Sequence, residues 1–143
     1  MRTTEVIHSD KVGKFILYPE LNVLLHTYFD TSFEASDEEF FEHIVSLGEV
    51  IKQYKPKGLI QDYTTLKFVV SPELQVKIVK YIKPILVESG VMRYAKIIQD
   101  DVISQLVAEQ IVNEARKVTT TVIPDMMFND LGAALEWMDK IYR

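Results

Sequence analysis

The stretch KFILYPELNVLLHTYF, residues 14–29, constrains the fold more than any other part of the chain. Two runs, Lys14 to Tyr18 and Val23 to Phe29, are apolar at nearly every position and rich in β-branched and aromatic side chains. Between them lies the proline-bearing turn Pro19-Glu20-Leu21-Asn22. That pattern predicts an antiparallel hairpin. Since polar residues scarcely alternate with apolar ones, both strands belong inside a sheet covered on one face or on both.

Beyond the hairpin, helical and extended patterns alternate. Ser36-Asp37-Glu38-Glu39 is a capping box, and Phe40, Phe41, Ile44, Val45, Leu47, Ile51 and Tyr54 recur at helical spacing until Pro56 and Gly58 end the run. Leu59 to Tyr63 reads as a strand. Ser71-Pro72 then opens a second helix, with proline at the first helical position and Glu73 one turn before Lys77. That helix runs to Gly90 and should bend at Pro84. Tyr94 to Ile98 is a further strand. Asp100 or Asp101 caps a third helix bearing Val102, Leu106, Val107, Ile111 and Ala115. Thr119 to Ile123 is read as the last strand, broken by Pro124-Asp125. Asn129 or Asp130 caps a terminal helix through Leu131, Ala134, Leu135, Trp137, Met138 and Ile141. The order is β-β-α-β-α-β-α-β-α with no linker or repeat. It predicts a single α/β domain over residues 1–143, built on one mixed sheet of about five strands with four helices packed on it.

Bulk properties then exclude several functions. Sixteen basic against twenty-one acidic residues give a net charge of −5, which disfavours nucleic acid as a partner. With no cysteine, disulfides, thiol catalysis and thiolate metal sites are ruled out, and a reducing cytoplasm is the expected compartment. The N-terminus lacks the apolar core of a signal peptide, and no apolar run approaches the roughly 20 residues of a membrane helix.

The ending, Met127-Phe128-Asn129-Asp130-Leu131-Gly132-Ala133-Ala134-Leu135-Glu136-Trp137-Met138, resembles the phenylalanine, acid, leucine, alanine-leucine, tryptophan pattern that closes many SpoIIAA-like chains. These are relatives of the STAS domains of anti-sigma-factor antagonists and anion transporters. The early hairpin, the strand from Leu59 and the SPEL helix start share in the resemblance. It implies a STAS-like fold. In signalling members the second helix begins at Asp-Ser-Ser-Gly-Leu, whose second serine is phosphorylated. Here the run is Val70-Ser71-Pro72-Glu73-Leu74, so proline stands where that serine would be and only Ser71 and Leu74 remain. Ser71 is therefore expected to be a helix cap and not a switch.

Other candidates for chemistry are sparse. The three histidines, His8, His26 and His43, are far apart in sequence and form no HExxH or i, i+4 pair, so no metal or cofactor is expected. His43 reads as a solvated residue on the acid-rich first helix, and His26 as a hydrogen-bonded wall residue of an apolar strand. Asp62, Asp100, Asp101 and Asp125 fall near strand ends, where ligands bind in open α/β sheets and carboxylates could hold Mg²⁺, yet caps and turns account for them better. The five glycines never cluster, so neither a phosphate loop nor a nucleophile elbow is present.

Two surfaces stand out. Lys77, Lys80 and Lys83 project within about 120° of the second helix and would suit an anionic partner, although the solvated face of an amphipathic helix accounts for them better. Met126, Met127 and Phe128 are expected in a loop, packed under the last helix or against a ligand or a second subunit. The leading expectation is a non-enzymatic STAS-like module that binds a protein partner or itself as a homodimer, using the second-helix start around Ser71, Glu73, Lys77 and Lys80. The alternative is a carrier or sensor of a small apolar or lipid-like molecule, implied by the likeness of SpoIIAA-like chains to the lipid-carrying CRAL-TRIO fold. A third reading is a hydrolase using His26 and Asp62.

Overall fold

A computed structural model of the chain describes residues 2–98 and 123–142. Among these, six strands form one mixed sheet in sequence order, β1 (Glu5–Ser9), β2 (Gly13–Tyr18), β3 (Val23–Tyr28), β4 (Gly58–Asp62), β5 (Arg93–Ile97) and β6 (Asp125–Phe128). The first three are antiparallel and the rest run parallel to β3. Three α-helices accompany them, α1 (Asp37–Tyr54), α2 (Pro72–Glu88) and α3 (Leu131–Asp139).

The predicted hairpin is β2–β3, whose turn closes through bonds from Leu21 and Asn22 to the Tyr18 and Pro19 carbonyls, with Asn22 left-handed at φ 51°. The capping box of α1 forms as the sequence indicates. Ser36 Oγ accepts from the Glu39 amide and Glu39 Oε1 from the Ser36 amide, both at 3.1 Å. α2 opens on Ser71, whose Oγ accepts from the Leu74 amide at 3.2 Å.

Two expectations need correction, and two lie outside the described residues. The chain opens with β1, an additional strand that pairs with β2 through an irregularity between Val6 and His8. The last strand is Asp125–Phe128, so the segment expected as a loop is sheet, paired with β5 from Tyr94↔Asp125 to Ile97↔Phe128. The helix expected from Asp100 or Asp101 and nearly all of the strand expected from Thr119 lie outside the described residues.

Adjacent residues on each strand face opposite ways, which divides the core in two. On one face α1 and α2 cover Phe15, Leu24 and Leu59 with Leu47, Ile51, Ile85 and Leu86. On the other, α3 lays Ala134, Leu135 and Met138 on Val23, Leu25, Ile60, Ala95 and Ile97. Helices α1 and α2 approach closely at Gly48, where a Cβ would press into the Tyr81 ring.

Candidate functional site

The face under α1 and α2 is not apolar throughout. Register places His8 opposite Phe15, Phe15 opposite His26, His26 opposite Gln61, Gln61 opposite Lys96 and Lys96 opposite Met127. These six positions form one row across the six described strands. His26, Gln61 and Lys96 are all buried, at 0, 6 and 2% exposure. Burying that many polar groups is unfavourable unless each finds a partner, so where their hydrogen bonds go defines the site.

The β1 irregularity brings His8 into this row. Val6 pairs with Ile16 and His8 with Phe15, so two residues, Ile7 and His8, occupy the space of one. A bulge of this kind re-aims the side chain that comes after it. The His8 ring consequently stacks on Phe15, with centroids 5.0 Å apart and planes 19° apart. The chain then turns at Asp10, whose Oδ1 accepts from the amides of Val12 at 2.8 Å and Gly13 at 3.2 Å. Gly13 is required there, because a Cβ would collide with the Thr27 carbonyl oxygen on β3.

With Oδ1 so held, Oδ2 of Asp10 is directed at two imidazoles. His8 Nε2 lies 2.7 Å from it and His43 Nδ1 lies 2.8 Å from it. His43 comes from the buried face of α1, and its Nε2 is 2.8 Å from Nε2 of His26. The three histidines and Asp10 are therefore one continuous chain, His8–Asp10–His43–His26, running from the rim into the core. The far end is incomplete. His26 Nδ1 and Gln61 Oε1 are both buried without a hydrogen-bond partner among the described residues.

Electrostatics track the burial gradient. Burial alone would raise the Asp10 carboxyl, but hydrogen bonds from His43 and His8 outweigh it and hold the pKa at about 2. Burial lowers His43 below the ordinary imidazole value, with Asp10 opposing. His26 is lowered well below it, by burial first and then by the neighbouring His43, while Gln61 and Asp10 work the other way.

Beyond Gln61 a cavity of about 80 Å³ lies between the sheet, α1 and α2. Tyr28, Tyr63 and Tyr94 line it together with Gln61, Gln75 and aliphatic side chains. The hydroxyls of Tyr63 and Tyr94 are 3.1 Å apart, and burial pushes Tyr63 up to about 12 and raises Tyr28 and Tyr94 well above the ordinary phenol value.

The residues singled out in the sequence are dispersed. Ser71, Glu73 and Lys77 line an open groove between the starts of α1 and α2, with Lys80 exposed on the same helix. Lys77 leans over Phe41, 4.2 Å from the ring centre, instead of pairing with Glu73. The lysine stripe is interrupted, because Lys83 is half-buried and lowered by desolvation, with Asp125 pulling back. Asp125 is not a turn residue but a strand residue whose Oδ2 lies 3.2 Å from the buried Lys96 ammonium. Met126 and Met127 are not packed under α3. They stand 45 and 47% exposed on β6, while Phe128 packs against Trp137. Asp62 does close a turn, accepting from Thr64 through both amide and hydroxyl. Asp100 and Asp101 lie outside the described residues.

His43 is the principal correction at the site. It is 2% exposed and not solvated, and it joins histidines that sequence separation kept apart. The usable signals were the lone histidine within the apolar strand and the His-x-Asp spacing at residues 8–10.

Compared with protein-family models, with curated proteins and with solved structures, the chain finds no match in any of the three.

Proposed function

We propose that this chain is a non-enzymatic, STAS-like protein-interaction module whose partner surface is the groove between the N-terminal turns of α1 and α2. The observation that carries the reading is the groove itself. It is an open recess of about 580 Å³ lined by Asp37, Glu38, Phe41, Glu42, Ser71, Glu73, Leu74 and Lys77. Four carboxylates against one lysine favour a basic partner segment, in place of the anionic one the lysines alone suggested, and Phe41 and Leu74 supply an apolar seat. The hydroxyl of Ser71 is engaged with the Leu74 amide, in keeping with a surface that works by shape and charge without phosphate.

The carrier alternative has less support. A cavity of about 80 Å³ accepts a few waters, whereas small-molecule sites begin at about 300 Å³. Self-association has its own observation, the two half-exposed methionines on β6, which is a sheet edge among the described residues.

A photo-crosslinking residue at Glu73 tests the reading in native cells. A discrete protein adduct is expected, lost on joint Glu38→Lys and Glu42→Lys reversal. Adducts indistinguishable from those formed at the exposed Glu136 on α3 would refute it, and an adduct of twice the chain mass would reassign the groove to a second copy.

A further inference from the structure

We propose that His8 Nε2, Asp10 Oδ2 and His43 Nδ1 form a three-ligand site for a divalent ion of the zinc type, independent of the interaction groove. Two imidazoles and one carboxylate are a donor set suited to zinc and its first-row neighbours. The three atoms already lie within 4.8 Å of one another. Zinc bonds of about 2.0–2.1 Å in tetrahedral geometry separate ligand atoms by about 3.4 Å. The two contacts at 2.7 and 2.8 Å therefore need to open by only a fraction of an ångström, while the imidazoles draw together.

The site also has the outer support that metal ligands require. Asp10 is oriented through its other oxygen by two backbone amides, and His43 is braced through its other nitrogen by His26. Such partners fix ligand orientation and tautomer. His8 and Asp10 side chains are each 32% exposed while that of His43 is 1% exposed, so the ion would enter from solvent and keep a position open to water.

The orphaned atoms at the far end supply an independent reason. If a neutral His43 donates from Nδ1 to Asp10, its Nε2 is a lone pair. The bond to His26 must then come from His26 Nε2–H. That leaves His26 Nδ1 as a buried lone pair, with Gln61 Oε1 its neighbour across the strands and neither able to donate. A metal on His43 Nδ1 reverses the direction. His43 Nε2–H donates to His26 Nε2, and His26 carries its proton on Nδ1, where Gln61 Oε1 is an acceptor. No proton is gained or lost by the pair, since each imidazole only changes tautomer. Turning the Gln61 amide over would instead satisfy the metal-free arrangement, so the tautomer of His26 separates the two.

The test is calorimetric titration of chelator-treated protein with Zn²⁺, repeated with Co²⁺ as a visible-absorption probe and completed by nitrogen NMR of the imidazoles. One ion per chain is expected, with a tetrahedral or five-coordinate cobalt spectrum. Asp10→Asn and His8→Ala, checked for folding by circular dichroism, should each weaken binding by more than about tenfold, and Gln61→Leu by about tenfold. Zinc should move the His26 proton to Nδ1. Absence of saturable binding, affinity unchanged in both ligand variants, or a His26 proton that stays on Nε2 in the zinc-saturated protein would each overturn the proposal.

Discussion

The two faces of the sheet are made from the same strands yet differ in kind. Toward α3, the central strands present Leu25, Ile60, Ala95 and Ile97, all buried and all apolar. One residue along, toward α1 and α2, the same strands present His26, Gln61 and Lys96. The first face can repack around any side chain of suitable volume. The second has hydrogen-bonding demands that must be met atom by atom, and two of its atoms lack a partner among the described residues. Both faces bury an apolar core, but among these residues buried polar chemistry is confined to the one under α1 and α2.

The largest expected effect lies on the dry face. Ile60→Ala, at a position with 0% exposure, should cost about 2–5 kcal/mol by chemical denaturation, since a cavity opens among apolar neighbours. Denaturation showing less than about 1 kcal/mol would mean that Ile60 is not packed in the core as described. On the polar face, His26→Leu should cost about 1–3 kcal/mol by leaving His43 without its buried partner. Adding His43→Leu to that variant should recover part of the loss, because both ends of the bond are then gone. Strict additivity in the double-mutant cycle would count against a hydrogen-bonded chain.

Ser71→Ala should cost about 1 kcal/mol by chemical denaturation, as befits a cap. The smallest effect is that of pH between 7 and 6 on the chelator-treated protein. Folding depresses the pKa of both His26 and His43 below the reference value of 6.5. Their contribution is thus complete above that value. It declines as pH falls through it, because the unfolded chain then binds protons that the folded chain refuses. Melting temperature should fall slightly toward pH 6 in the parent chain and less in the His26→Leu, His43→Leu double variant.

The contrast between faces also accounts for what could be read from sequence. Local chemistry was legible. The β2–β3 hairpin, the Ser36 capping box and the Ser71-Pro72 start each rest on neighbours within a few residues. The strand β6 was hidden because it comes directly after Pro124, and Asp-Met-Met lacks the β-branched side chains that mark a strand. β1 was hidden because Glu5 to Ser9 alternates poorly and pairs through a bulge. The histidine chain was illegible for a different reason. His26 and His43 are 17 residues apart and Asp10 and His43 are 33 apart, joined only through sheet register and the placing of α1. Asp10 is marked in the sequence only by its spacing from His8, although it is the hinge of the cluster.

The bulge at Ile7 has a consequence for solubility as well as for the histidines. β1 is an outer strand among the described residues, and an unbroken outer strand invites pairing with another molecule. One surplus residue bends that margin. Shortening the strand by Ile7 alone would straighten the border yet leave His8 opposite Phe15, so stickiness would rise while the imidazole kept its inward facing.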